Sequence, residues 1–300
     1  LNNSSILFVN LFSSRVFEAA VDTSVISIKN MKHGIETFQV FRDLDSKTLE
    51  LNQDIFLKMP VVLFAVNLTT QSKPIIDKLL NGQFCHLEKI IEVQQGIIYS
   101  GQPKEKVFAN EEKDKRYKRV LDGRDILKWK INWYSKIESK YICYSEKLHR
   151  PRAERLFLAK EKLLLPRKST RIACTYDNDQ FYALNTAYIC LLKDIHFDIK
   201  YILACLNSSL INYFYSSLFF GWQVTIPALN SIPIKNIPAD KQKPFITLVD
   251  QILAITKDDD YLDNPQKQSK VKALEAKIDQ LVYKLYGLTP EEIKIVEGEK

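Results

Sequence analysis

Short apolar runs separated by polar residues mark the first 75 residues of the chain. Ile6–Phe12 predicts a buried strand or a short helix, whereas Val21–Ile28 ends in a period-two alternation that predicts a strand. Phe38–Phe41 predicts another strand, and a short helix is predicted over Ile75–Leu80. Because no complete strand–helix alternation occurs, we interpret residues 1–75 as the tail of a sheet whose other strands lie upstream.

The middle of the chain is rich in apolar segments of strand length. Leu87–Ile98 predicts a strand interrupted at Gly96, a residue suited to a bend or to a close approach of another backbone segment. Further strands are predicted over Tyr141–Tyr144, Leu163–Leu165, Ile172–Tyr176, Phe181–Leu184 and Tyr188–Leu192. Residues 76–238 therefore form a predicted β-rich domain.

Helical spacing dominates the last third of the chain. One helix is predicted over Asp198–Phe219, and Pro227, Pro233 and Pro238 exclude regular structure after it. Two more helices are predicted over Lys243–Thr256 and Val271–Leu285, and the second ends at Gly287. A last short helix opens at Thr289-Pro290-Glu291-Glu292. The fold class is therefore α+β, with residues 239–300 as a helical support or spacer.

Positive charge is concentrated in the centre of the sequence. The chain carries a formal net charge of +7, and Gln102–Arg171 alone holds 21 Lys and Arg against 10 Asp and Glu. The remaining residues have a net negative balance, so all of the positive excess lies in this stretch. Such a concentration favours a polyanionic partner. The alternative is a solvated, lysine-rich surface without a partner.

Motifs for catalysis and for metal binding are absent from the sequence. It contains no GxSxG, HExxH or phosphate-binding GxxxxGK[ST] pattern, and its four histidines are isolated from one another. It lacks both the glycine-rich cofactor loop and the Asn/Asp-Pro-Pro-aromatic element of adenine methyltransferases. Glu275-Ala276-Lys277 matches a nuclease-like Glu-x-Lys but lies in the middle of a predicted helix. We therefore assign no catalytic residue, no metal site and no cofactor to this chain.

The cysteines and the ends of the sequence bear on its cellular setting. The five cysteines show neither the density of a disulfide scaffold nor the paired spacing of a zinc site, which favours reduced thiols. No run of about 18 apolar residues predicts a membrane span. The start at Leu1-Asn2-Asn3 has no initiator methionine or basic signal-peptide flank. We expect a cytoplasmic fragment of a longer protein, with no membrane partner.

Five segments, in order over about 150 residues, carry a resemblance to a known family. They are Val93–Gly101, Tyr117–Ile126 with its Gly-Arg-Asp-Ile block, Lys162–Arg167, Leu203–Leu210 with Leu-Asn-Ser, and Ile232–Ile234. Together they resemble the TaqI-like C-terminal specificity domain of type IIG restriction–modification enzymes and of related N6-adenine DNA methyltransferases. The flanks are similar to the last strands of the methyltransferase sheet and to the helical end of such polypeptides. The resemblance therefore implies that residues 1–75 are the truncated C-terminal part of a methyltransferase-type sheet.

The resemblance implies sequence-specific recognition of double-stranded DNA. It also implies that S-adenosylmethionine is bound by an upstream methyltransferase domain of the same polypeptide, which would supply most of the pocket for a flipped base. A different hypothesis remains open, in which the basic stretch and the C-terminal apolar seam dock another protein. An active site of unrecognised type is the remaining alternative.

Candidate DNA contacts follow from the basic clusters. Arginine can bind guanine O6 and N7 with both arms of its guanidinium, whereas lysine mainly fixes the register on phosphates. The predicted contacts are Arg116, Lys118, Arg119, Arg124, Arg150, Arg152, Arg167, Lys168 and Arg171. Tyr99 and Trp222 are candidates for stacking near a displaced base, with packing in the core as the alternative for both.

Overall fold

A computed structural model describes residues 4–12, 16, 24–30, 37–43, 46–52, 68–99, 101, 103–135, 137–145, 148–219 and 221–298. The chain forms two compact units. One comprises residues 1–82 with 217–220, and the other comprises residues 83–216 with 221–300. The larger unit thus includes the C-terminal helices, whereas the functional roles given above to residues 1–75, 76–238 and 239–300 stay predictions.

The smaller unit contains a mixed four-stranded sheet. Its strands are β1 (Ser4–Leu11), β2 (Ser24–Asn30), β3 (Thr37–Arg42) and β4 (Ser46–Asn52), in the order β2-β1-β3-β4. β1 pairs antiparallel with β2 and parallel with β3, while β3 and β4 are antiparallel. Helix α1 (Ser72–Asn81) follows and buries Ile75, Ile76 and Leu79. The strands predicted from the apolar runs and the helix are confirmed, but Val21-Asp22-Thr23 lies outside the described residues.

The larger unit is built around two four-stranded sheets. Its first elements are β5 (Cys85–His86), α2 (Leu87–Ile90), β6 (Ile91–Gln95), α3 (Lys104–Val107), β7 (Phe108–Ala109), β8 (Tyr117–Leu121), β9 (Ile126–Leu127) and β10 (Lys130–Ile131). They are followed by β11 (Tyr141–Cys143), α4 (Arg155–Leu158), β12 (Lys162–Pro166), β13 (Thr175–Asp177), β14 (Tyr182–Ala183) and β15 (Ala187–Leu192). The sheets have the orders β13-β12-β15-β6 and β14-β8-β11-β7. The strand predicted over Leu87–Ile98 is wrong at its start, because Leu87–Ile90 forms a helical turn.

The central strand β12 carries both apolar core and a buried ion pair. Leu163, Leu164 and Leu165 are almost fully buried, as expected for a strand covered on both faces. Lys162 at its start is also buried and lies 2.7 Å from the Asp177 carboxylate. Both members of the pair have further hydrogen-bond partners, because Lys162 Nζ also donates to Phe157 O and Asp177 accepts from two backbone N–H groups.

Helices complete the larger unit. They are α5 (Ile199–Asn207), α6 (Ser209–Leu218), α7 (Ile226–Asn230), α8 (Ala239–Thr256), α9 (Pro265–Tyr286) and α10 (Pro290–Glu297), with the two-residue strand β16 (Pro233–Ile234) between α7 and α8. The architecture is α+β, as the sequence predicted. Gly287 ends α9 in the left-handed conformation, and Thr289 and Glu292 form a capping box on α10, which confirms both sequence signals.

Several of the predictions for the helical region are wrong. The helix expected over Asp198–Phe219 breaks at Ser208, where Asn207 turns its amide to the Cys174 backbone and Ser209 donates to Asp279. Pro227 does not exclude a helix, because it lies in the first turn of α7, where its missing N–H has no intrahelical acceptor. Helix α8 begins at Ala239, four residues before the predicted start.

Candidate DNA-facing cleft

A cleft of about 870 Å³ opens beside the junction of the two larger sheets. The candidate residues Tyr99, Arg124 and Lys168 line it together. Two further cations, Lys104 and Lys128, also line it. The remaining described residues of its lining are Phe108, Asp122, Gly123, Ile126, Leu127, Glu138, Ser139, Pro166, Ser169, Ala173, Leu184, Asn185 and Thr186. Four cations face two carboxylates here, so the cleft offers a net positive surface to a ligand.

The wall of the cleft is a turn at residues 184–186, between β14 and β15. Leu184 N–H donates to Leu121 O at 2.9 Å, Asn185 N–H donates to Ile97 O at 2.9 Å, and Arg167 N–H donates to Thr186 O at 2.8 Å. The turn is therefore hydrogen-bonded to three separate segments of the chain. Such cross-linking holds the backbone of a binding site in one geometry.

Gly96 and Gly123 make this junction possible. A Cβ atom on Gly96 would lie 2.3 Å from the carbonyl oxygens of both Ala183 and Leu184. A Cβ atom on Gly123 would lie 2.5 Å from Thr186 O. Both neighbours are backbone atoms that cannot move aside, so a side chain would push the turn away. The prediction of a close backbone approach at Gly96 is confirmed.

Arg124 is held at the mouth of the cleft by a local cap. Asp122 accepts hydrogen bonds from the backbone N–H of Arg124 at 2.8 Å and from its guanidinium at 3.2 Å. The carboxylate of Asp125 accepts from Asp122 N–H, which completes a capping box around the short 3₁₀ turn. The Asp122 carboxylate raises the pKa of Arg124. The guanidinium side chain is 93% exposed, so its outer face is open to a ligand.

Lys168 lies beside an exposed tryptophan. Its Nζ atom is 5.6 Å from the centre of the Trp222 ring, within the range of a cation–π contact. Trp222 is 62% exposed, so the alternative of core packing is wrong for this residue. The segment that carries it is fixed at Val224, whose N–H donates to Arg167 O and whose carbonyl accepts from Tyr188 Oη.

Tyr99 has the packed environment that the sequence offered as its alternative. Its ring meets Phe108 edge to face, with centroids 4.8 Å apart, and it packs against the core of the larger unit. Both rings still line the cleft. Tyr99 thus contributes an apolar, aromatic wall.

Comparison with known proteins places this region in a family. Residues 118–239 match the family model of the TaqI-like C-terminal specificity domain. That segment is a TaqI-like specificity domain.

The specificity domain and its flanks are also similar in fold to solved structures. The chain matches the structure of the Type IIL restriction–modification enzyme MmeI in complex with DNA at 13% identity and a TM-score of 0.56, over 98% of this chain and 45% of that one. A weaker match is the HsdS subunit from Thermoanaerobacter tengcongensis, at 10% identity and a TM-score of 0.38, over 72% of this chain and 50% of that one. Another is a structure of the type I R-M system, at 12% identity and a TM-score of 0.36, over 76% of this chain and 52% of that one. The chain spans about half the length of these structures. No curated protein matches it.

Three of the predicted contacts lie at strand β8, Lys118 and Arg119 within it and Arg116 just before it, and none of them lines the cleft. The guanidinium of Arg116 donates two hydrogen bonds to the Asp114 carboxylate, from Nη2 at 2.7 Å and from Nε at 3.0 Å, and lowers the pKa of that carboxyl to about 2. Arg119 donates to Asp179 O and lies 4.4 Å from the Phe181 ring centre, so it ties the turn at 177–181 to the strand. Lys118 is half-buried and pairs through its backbone with Ile142.

Arg150, Arg152, Arg167 and Arg171 also lie outside the lining of the cleft. Arg152 has a positive φ of 69°, donates to Gly96 O at 3.2 Å and has a pKa lowered by burial. Arg150 is exposed and its backbone bridges to Ile98. Arg167 reaches toward Asn185 O at 3.5 Å, and Arg171 is exposed with its backbone bonded to Ser169. The structure thus brings together Arg124, Lys168 and Tyr99 in the cleft, with Trp222 beside Lys168, while the other candidate cations lie elsewhere on the larger unit.

Sequence reasoning missed several polar residues of the cleft, among them Lys104, Lys128 and Asn185. Lys104 and Lys128 belong to the basic stretch but stood outside its densest clusters, and Asn185 carried no charge signal at all. Lys128 follows two residues after the Gly-Arg-Asp-Ile block, a proximity that could have suggested it. Within the described residues, no group of three or more His, Cys, Asp or Glu side chains could hold a metal ion. None of the described helices is long and apolar enough to cross a membrane.

Proposed function

We propose that this chain recognises a specific sequence in double-stranded DNA, with the cleft as the surface that faces the duplex. The observation that carries the proposal is the convergence of Lys104, Arg124, Lys128 and Lys168 on one cleft of the specificity domain. Cations along a rigid wall suit the phosphate backbone, since each phosphate contact releases counterions and adds affinity. Neutral polar groups between them then meet base edges.

We further propose that the longer protein methylates adenine at N6 and is a restriction–modification enzyme of type IIG. In this proposal a methyltransferase domain of the same polypeptide binds S-adenosylmethionine, and the present chain supplies the choice of sequence. The resemblance of residues 1–75 to the end of a methyltransferase sheet supports this division of labour. Incubation of the full-length protein with tritiated S-adenosylmethionine and a duplex carrying its site tests it, because label retained as N6-methyladenine is the expected product.

Selection from a randomised duplex pool at near-physiological salt tests the recognition itself. We expect one sequence to be enriched by the full-length protein, and we expect the enrichment to fall when Lys168 and Arg124 are both replaced by alanine. A pool that emerges without any enriched sequence contradicts the proposal. Binding of an acidic protein with no measurable affinity for duplex DNA would instead favour the docking hypothesis.

A further inference from the structure

Asn185 occupies the centre of the turn that walls the cleft. Its backbone is fixed on both sides, because its N–H donates to Ile97 O at 2.9 Å and its carbonyl accepts from Gln95 Nε2 at 3.0 Å. The residues before and after it are held by their backbone bonds to Leu121 and Arg167. A side chain on such a backbone is presented to the cleft with little freedom to move away.

Most other polar side chains of the cleft wall have partners within the protein. Asp122 holds Arg124, Thr186 Oγ1 accepts from Gly123 N–H at 2.8 Å, and Ser169 Oγ donates to Arg171 O. In contrast, no residue in the described part of the chain makes a hydrogen bond to the side-chain amide of Asn185, which is half-buried. The amide therefore keeps two donors and an acceptor that no described group of the protein uses. The amide is therefore poised for an external partner that both donates and accepts.

We infer that Asn185 is a specificity-determining residue that reads one adenine of the target. An asparagine amide can donate to adenine N7 and accept from adenine N6 in the major groove, a pairing that no other base offers in that geometry. Arg124 and Lys168, which line the same cleft, would hold the duplex in register through its phosphates. This inference rests on the proposed function, because it requires the cleft to face DNA.

Selection of binding sites with matched variants tests the inference. The full-length protein is compared with its Asn185→Ala, Asn185→Asp and Asn178→Ala forms, each checked for an unchanged melting temperature. Asn178 is the control, because it is exposed in the turn after β13 and lines a different pocket. Asn185→Asp nearly preserves the size of the side chain, so it also guards against a failure of Asn185→Ala to fold.

The expected result is the loss of one adenine from the selected site. In Asn185→Ala, the preference at that position should fall by roughly 5- to 150-fold, the discrimination given by one good bidentate contact, while the other positions stay fixed. In Asn185→Asp, the preference should move toward cytosine, whose N4 amino group donates to a carboxylate. Asn178→Ala should select the same site as the wild type.

The outcomes separate the inference from the proposed function. If the wild type selects one sequence and both Asn185 variants select it unchanged, recognition stands and the role of Asn185 is refuted. A selected site that contains no adenine refutes that role as well. If the wild type itself enriches nothing, the proposed function fails first.

Discussion

The indole Nε1–H of Trp129 donates a hydrogen bond of 2.7 Å to Glu275 Oε1, which joins the β9–β10 hairpin to helix α9. Trp129 is buried, and it has a left-handed backbone with a φ of 66°. Its carbonyl accepts from Thr256 Oγ1, and Lys128 forms an ion pair with the same glutamate. Because Lys128 also lines the cleft, the C-terminal helices hold one side of the candidate DNA-facing surface in place.

The Trp129–Glu275 bond predicts a graded loss of stability. In Glu275→Ala the buried indole N–H loses its acceptor, which should lower the free energy of unfolding by about 1–3 kcal/mol. Glu275→Gln retains an oxygen acceptor and removes only the charge that pairs with Lys128, so it should cost less. Urea denaturation followed by tryptophan fluorescence measures both. Equal losses in the two variants would show that the indole bond contributes nothing.

The close approach at Gly96 predicts a steric effect on folding. Gly96→Ala places a methyl group against two backbone carbonyls and should cost about 1–3 kcal/mol by displacing the turn. Gly287→Ala is the matched comparison, since its Cβ would meet nothing and only its φ of 69° penalises alanine, by roughly 1–2 kcal/mol. Thermal melting ranks the two. A Gly96→Ala protein as stable as the wild type would mean that the turn can move freely.

The cations of the cleft predict a change in salt dependence. Replacing Arg124 or Lys168 by alanine should each lower the slope of log affinity against log salt by about 1, because one phosphate contact is lost. Arg155→Ala is the control, since Arg155 pairs with Glu92 and does not line the cleft. Fluorescence anisotropy with a labelled duplex at several salt concentrations gives the slopes. An unchanged slope in both cleft variants would show that neither Arg124 nor Lys168 contacts a phosphate.

The half-buried Asp279 predicts a pH effect on stability. It accepts from the backbone N–H and the hydroxyl of Ser209, both at 2.7 Å, yet burial raises its pKa above the usual range. Because the pKa of Asp279 is higher in the folded state than in the unfolded state, where it is about 3.8, the protonated carboxyl stabilises the fold. This stabilisation is fully present below the unfolded pKa and is lost as the pH rises through the folded pKa. Asp279→Asn should therefore gain stability relative to the wild type between about pH 4 and pH 7. Urea midpoints of both proteins across this range measure the difference, and a constant difference contradicts the expectation.

Local patterns in the sequence predicted many elements correctly. Leu163-Leu164-Leu165 became the core of β12, the segment Tyr188–Leu192 became most of β15, and Gly287 ended α9. These signals depend on neighbouring residues, because apolar runs and left-handed caps act within one element. The break at Ser208 was missed, since it depends on Cys174 and Asp279, which lie far away in the chain.

The candidate site was likewise predictable from the sequence only in part. A basic centre of the chain and its resemblance to a specificity domain could be read from residue order, and the family match at 118–239 confirms that recognition. Which of its cations share a surface could not be read, because Arg116 and Arg119 look like Arg124 in sequence. Their places in the fold separate them, because Arg124 lines the cleft whereas Arg116 and Arg119 do not.

The sequence by itself determined the α+β class, the basic central stretch and the membership of its middle segment in a family, since these follow from composition, periodicity and short motifs. The tertiary structure alone decided that Arg124, Lys168 and Asn185 line one cleft. The physical reason is that the cleft is built from backbone hydrogen bonds between residues 97, 121, 167 and 184–186, and long-range pairings of this kind leave no mark on residue types.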